Sequence, residues 1–292
     1  SGLYFYSLLR REPLTYYPTM TAVTTCNQGH ATEMQISDDL STCMDYRDYV
    51  DGNLAVGIDI ENQEQLEEIS KKDLNELSLN DQAMMYLLGR GVKQDFKEAV
   101  RLFSIMAEEG NEYAQANLGL MYSDGKGVKK DYEKALYWFK KAAEQGNAGA
   151  IVSLGFLYAK GHGVDKNPEE AMRLYRLSAE QGNWMAQRNL GYMFATGKGE
   201  SKDDKKALKW YLLSAEQGNA NAQTSLGVMY VLGTGVIEDK VLAHMWWNIA
   251  VSQGNDQAQS GLDDLLKVMT ASQIEEAQRL ARQCQRNEYK GC

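Results

Sequence analysis

Apolar residues in this chain follow a helical rhythm that is interrupted and restarted at a fixed interval. Ala114, Leu118 and Tyr122 stand at i, i+4 and i+8, which places them along one face of a helix. A polar, glycine-bearing stretch follows, and a second apolar set then begins at Ala135 and continues through Trp138 and Phe139. The pattern predicts two amphipathic helices joined by a tight loop, written again every 36 residues.

Aligned at that period, the chain becomes a set of columns. Ala114, Ala150, Ala186, Ala222 and Ala258 form a small-residue column, followed four residues on by Leu118, Leu154, Leu190, Leu226 and Leu262. Gly119, Gly155, Gly191 and Gly227 come next and let a neighbouring helix approach closely; Tyr86, Tyr122, Tyr158, Phe194 and Tyr230 complete the face. Every unit then carries Gly-x-Gly, read as the end of the first helix. A phosphate cradle would need a preceding strand, and none is evident. Asp95, Asp131, Asn167, Asp203 and Asp239 are placed to cap the second helix, with Pro168 at a first helical position and Glu170 positioned to close a capping box. Within that helix the bulky columns Leu102, Trp138, Leu174, Trp210, Trp246 and Phe103, Phe139, Tyr175, Tyr211, Trp247 read as repeat core.

The phrase AEQGN at Ala143–Asn147, Ala179–Asn183 and Ala215–Asn219 is punctuation: Ala, Glu and Gln finish the second helix, Gly supplies a left-handed cap, and Asn begins the link. A hairpin cannot bury its apolar face alone, so the units stack. The expectation is an all-α, right-handed α-solenoid superhelix of stacked helical hairpins.

The segment Ala116–Gly149, ANLGLMYSDGKGVKKDYEKALYWFKKAAEQGNAG, resembles the Sel-one-like repeat (SLR), a relative of the tetratricopeptide repeat, and the likeness covers about residues 75 to 265. The first unit departs from it, with Ser78, Gln82 and Ala83 where a small residue, Leu and Gly are expected. The stretch from Met245 to Cys284 resembles the closing helices of bacterial exported members. The division that follows is a non-repeat segment over 1–72, a solenoid of about five repeats plus a partial sixth over 73–265, and a capping helix and tail over 266–292. In the first segment Ser37 is placed to cap a short helix running to Val50, with Gly52 beyond it. Ser272–Arg286 is expected to lay Ile274, Ala277, Leu280 and Ala281 against the stack.

Composition narrows the function. A net charge of -9 and no basic cluster longer than two residues argue against nucleic acid. Leu3–Leu9 is too short for a membrane span, so neither a span nor a targeting segment is expected. The cysteines fall in two local couples, Cys26 with Cys43 and Cys284 with Cys292, which suits two disulfides in an oxidising compartment; free thiols in a cytosolic protein would give the same spacing. With His30, His162 and His244 scattered, no metal site is expected, and no cofactor. His162 reads as a solvated loop residue, His244 as polar surface, and Glu61–Glu68 as a solvated helix face.

Catalysis is not expected. Ser123-Asp124-Gly125-Lys126 spells S-x-x-K, and cysteine-rich relatives in the family have been linked to β-lactam binding or hydrolysis, which supplies the alternative function. That chemistry also wants S-D-N and K-T-G partners, and neither occurs.

The resemblance points to the inner surface, lined by first helices. There Asp81, Asn117, Ser153, Asn189 and Ser225 form a polar column able to hydrogen-bond a peptide backbone. Met84, Leu120, Phe156, Tyr192 and Val228 form an apolar one, which stacking between first helices would require equally. Arg188 breaks a column otherwise reading Asn80, Ala116, Val152 and Thr224, and with Asn189 and Tyr192 could hold a carboxylate. Five units at about 10 Å spacing make a groove near 50 Å, which takes about 15 extended residues. The sequence therefore predicts a monomeric interaction scaffold for a protein or peptide, of bacterial exported type, periplasmic or secreted.

Overall fold

A computed structural model of the chain describes residues 77–292. Among the described residues the backbone forms twelve helices and no strand. They pair as α1 (Leu79–Leu88) with α2 (Phe96–Glu108), α3 (Glu112–Asp124) with α4 (Tyr132–Glu144), and α5 (Ala148–Lys160) with α6 (Pro168–Glu180). The series continues with α7 (Trp184–Thr196) and α8 (Asp204–Ala215), α9 (Ala220–Leu232) and α10 (Lys240–Ser252), and ends in α11 (Asp256–Leu266) and α12 (Ala271–Arg286). The predicted caps of the second helices are all in place: Asp95, Asp131, Asn167, Asp203 and Asp239 each accept a backbone N–H from the first turn.

The closing phrase does more than link. In the second hairpin Gly146 lies at φ 92°; its N–H donates to Ala143, and the N–H of Asn147 donates to Ala142. These bonds satisfy the carbonyls that the end of α4 leaves open. Asn147 then turns its side chain forward and accepts from the N–H of Ala150, so one residue closes α4 and caps α5. Asn111, Asn183, Asn219 and Asn255 serve the same way. The capping box expected at Glu170 does not form, because that carboxylate pairs with Arg173 at 2.7 Å; the box is found at Thr270 and Gln273 instead.

The second to fifth hairpins are each held by a ring laid on a glycine. A Cβ added to Gly119 would stand 2.6 Å from the Phe139 ring, and one added to Gly191 2.6 Å from the Tyr211 ring. Gly155 and Gly227 receive Tyr175 and Trp247 in the same manner, and the Trp247 indole N–H donates to the Thr224 carbonyl at 3.0 Å. Phe103, Phe139, Tyr175, Tyr211 and Trp247 are all buried, each ring contributing about 1.5–3 kcal/mol from removal of its surface from water.

Between hairpins the core runs on. Tyr122 packs against the clusters of both the first and second hairpin junctions, Tyr158 joins the second to the large central cluster, and Tyr230 joins that cluster to the C-terminal one. The first helices α3 and α5, and likewise α9 and α11, touch one another, whereas α10 and α12 are the second helices that pack most closely. The last hairpin is irregular: α11 stops without a Gly-x-Gly loop, and α12 buries Ala277, Ala281 and Cys284 mainly against α10, with Ile274 and Leu280 half-buried beside them.

Cys284 is bonded to Cys292 across a Cα–Cα distance of 5.4 Å. The tail between them reaches past its own helix: Tyr289 packs beside Gly218, and the Gly291 N–H donates to Glu216. The Cys26–Cys43 pairing, the helix after Ser37 and the segment 1–72 lie outside the described residues.

Candidate interaction surface

The polar and apolar columns expected on the first helices divide once the hairpins stack. Met84 and Leu120 are each only 6% exposed and belong to the core between hairpins. Asp81 accepts a hydrogen bond at 2.7 Å from Ser78, the cap of α1. Ser153 is buried and donates to the Gly149 carbonyl of its own helix at 2.8 Å. The residues that remain partly open are Asp81, Asn117, Phe156, Arg188, Tyr192, Ser225 and Val228.

Arg188 is the best-framed of these. Its Nη2 donates to the Oδ1 of the buried Asn189 at 2.9 Å, which fixes one edge of the guanidinium plane. Its charge acts on Tyr175 of α6 and Tyr211 of α8. Burial raises the Tyr175 hydroxyl far above its usual range and pushes Tyr211 up to about 12, and Arg188 opposes both shifts. Ser225 likewise opposes the Tyr211 shift, and Lys198 donates to the Tyr192 hydroxyl at 2.8 Å. The structure thus brings Arg188, Asn189, Tyr192 and Ser225 into one neighbourhood around a fixed cation.

Two histidines sit differently from expectation. His162 is stacked on Tyr132 with ring centroids 4.4 Å apart and meets Phe156 edge-on at 5.9 Å. Desolvation, then the charges of Lys130 and Lys160, hold its pKa below the usual value. His244 is 1% exposed, and its Nδ1 has no hydrogen-bond partner. In its column Val100, Leu136 and Leu208 are only partly buried and Met172 is buried; His244 lies on α10, the helix against which α12 packs.

Ser123 lies in the last turn of α3, but Lys126 follows Gly125 at φ 77°, outside the helix. Its ammonium lies 5.8 Å from the Phe96 ring centre, and desolvation lowers its pKa. The S-x-x-K match is not a serine and lysine one turn apart on one helix. Among the described residues no group of three or more His, Cys, Asp or Glu side chains could hold a metal ion, and no helix is long and apolar enough to cross a membrane.

Three features carry weight that the sequence did not announce. The second glycine of each loop after the first does not end a helix; it lets the loop rest on the preceding hairpin. A Cβ on Gly163 would meet Tyr132 backbone at 2.7 Å, and one on Gly199 would meet the Pro168 carbonyl at 2.6 Å. The Gln of the closing phrase also has a partner: Gln145 donates at 2.8 Å to the buried Gln115, which donates at 3.0 Å to the Ala107 carbonyl of the preceding hairpin. Gln217 with Gln187, and Gln253 with Gln223, repeat this relay, while Ile151 interrupts it. The third is Glu200, which replaces the Val of the other loops. It joins Arg176 of the preceding hairpin at 3.0 Å to Lys206 of its own at 3.1 Å. Fixed-period columns could have revealed the first two; Glu200 appears only as a broken column.

Comparison with known proteins agrees with this architecture. The Sel1 repeat model matches five times in succession, over residues 75–111, 112–147, 148–183, 184–219 and 220–255. The crystal structure of a Sel1 repeat protein from Oxalobacter formigenes is 34% identical over 76% of this chain and 94% of that one, with a TM-score of 0.63. The c5321 protein, a protective antigen present in uropathogenic Escherichia coli strains and displaying an SLR fold, is 30% identical over 83% of this chain and 61% of that one, with a TM-score of 0.47. Cysteine rich protein B of Helicobacter pylori is 24% identical over 45% of this chain and 94% of that one, with a TM-score of 0.36. No curated protein matches the chain. Since five consecutive repeats span more than half of its length, the chain belongs to the Sel1 repeat family.

Proposed function

We propose that this protein is a non-catalytic interaction scaffold that holds a peptide or protein partner along its first helices, as a monomer in a periplasmic or secreted setting. The observation that carries the reading is the partly open row from Asn117 to Val228, with Arg188 held by Asn189 in a column whose other members, Asn80, Ala116, Val152 and Thr224, are uncharged. A guanidinium oriented by Asn189 is a planar cation of the kind that recognises carboxylates, so the partner bears an acidic side chain or a C-terminal carboxylate there. Phe156, Tyr192 and Val228 supply apolar contacts at successive hairpins. The Cys284–Cys292 bond supports an oxidising compartment.

The test places a photo-crosslinking phenylalanine analogue at Phe156 or Tyr192, and separately at Tyr137, which is 53% exposed on a second helix. A partner captured at the first two positions and lost with Arg188→Glu supports the reading. Equal capture from Tyr137, or capture unchanged by Arg188→Glu, removes the inner face from consideration. Purified protein is expected to leave nitrocefin intact; turnover that disappears with Ser123→Ala would replace the scaffold with the β-lactam alternative.

A further inference from the structure

Net negative charge conceals a basic edge. The Gly-x-Gly loops of the first two hairpins, residues 89–95 and 125–131, carry Arg90, Lys93, Lys126, Lys129 and Lys130 against two carboxylates, Asp95 and Asp131. Both carboxylates are engaged as helix caps, Asp95 with the N–H groups of Lys97 and Glu98 and Asp131 with that of Lys134. The corresponding loop of the fifth hairpin, residues 233–239, has no cation and carries Glu238 and Asp239. Arg90, Lys93, Lys129 and Lys130 are exposed, and among the described residues none of the four forms an ion pair. Ring faces hold part of the edge in place: Lys130 lies 4.7 Å from the Tyr132 centroid, Lys134 lies 5.1 Å from that of Tyr122, and His162 covers the Tyr132 ring. Cations set over aromatic faces lose less freedom when an anion arrives than cations on free stems.

We infer that this edge is the docking surface for an acidic segment of the same chain, residues 59–68. That stretch, DIENQEQLEE, carries Asp59, Glu61, Glu64, Glu67 and Glu68 and no cation. It ends nine residues before Leu77, at the head of α1. The ten-residue α1 is about 15 Å long and ends at the basic edge, with the next hairpin about 10 Å further. Nine extended residues span about 30 Å, more than the roughly 20 Å required. Tethering at this length gives an effective concentration on the order of millimolar, which an untethered acidic partner would have to match. The inference is independent of the reading of the inner face, which rests on Arg188 and other helices.

The test is zero-length carbodiimide coupling of carboxylates to lysines in the full chain, read by peptide mass spectrometry. The expected result is linkage of Glu61, Glu64, Glu67 or Glu68 to Lys93, Lys129 or Lys130 within one chain. The yield should be unchanged on tenfold dilution and at least tenfold lower in half-molar salt. Reversing Lys93, Lys129 and Lys130 to Glu should abolish those links with the helical circular dichroism unchanged. Combining that reversal with Glu61, Glu64, Glu67 and Glu68→Lys should restore coupling with the roles exchanged. Links that form only between chains, a yield indifferent to loop reversal, or failure of the combined reversal to restore coupling would overturn the proposal.

Discussion

Replacing Gln115 by alanine tests the relay that ties one hairpin to the next. Gln115 is 4% exposed, donates to the Ala107 carbonyl at 3.0 Å and accepts from Gln145 at 2.8 Å. The substitution removes two hydrogen bonds, each worth about 0.5–1.5 kcal/mol net, and leaves the buried Ala107 carbonyl without its side-chain donor. The chain is expected to lose about 2–3 kcal/mol, or roughly 5–10 °C in Tm for a folded unit of this size. Gln145→Ala should cost less, because the Gln145 side chain stands at an exposed position and its loss leaves the Gln115–Ala107 bond intact. A double-mutant cycle by urea denaturation should return a coupling of about 1 kcal/mol between the two glutamines. A Gln115→Ala change within 0.5 kcal/mol of the parent, or zero coupling, would refute the relay as an interhairpin tie.

Two further outcomes follow from buried groups. His244 is held below its ordinary pKa by burial, so the unfolded chain takes up that proton first as pH falls; stability should be full above about pH 7 and decline as pH drops through the unfolded value of about 6.5. His244→Leu, the residue of Leu136 and Leu208, should raise stability by about 1 kcal/mol at pH 7.5 and by more at pH 5, measured by thermal melts; an equal gain at both pH values would show that the imidazole does not titrate differently on folding. Cys292→Ser opens a loop of sequence separation 8 and should cost the C-terminal cap about 2.5 kcal/mol on the chain-entropy argument. Hydrogen exchange would show this as faster amides in α12 and the tail, and unchanged exchange there would mean the bond does not hold the cap.

What could be read from the sequence was whatever repeats at the scale of a turn or a hairpin. The Ala, Leu, Gly and Tyr columns, the Asp and Asn caps and the aromatic ranks are set by local periodicity, and each stands where expected. Contacts between hairpins were less legible, because residues some 30 apart that meet in space show no local pattern. The second loop glycine looks like a turn residue until Tyr132 and Pro168 are seen beneath Gly163 and Gly199. Asn147 looks like a linker until its side chain is found on Ala150. His244 reads as surface by residue type, yet it is buried on α10, the helix that α12 packs against, where no period-36 column could show it. On the first helices the apolar column could not be divided into core and surface from one sequence; the structure places Met84 and Leu120 inside and leaves Phe156, Tyr192 and Val228 partly open.

Neighbouring hairpins draw stability from a shared core. Trp246 is 1% exposed in the cluster that also holds Tyr211 and Leu226 of the hairpins around it and Ala281 of α12. Native-state hydrogen exchange of Trp246→Ala measures the dependence directly. The expected result is faster exchange in α10 that extends into α8 and α12 and fades before α2. Acceleration confined to α10, with α8 and α12 protected as in the parent, would contradict the shared core.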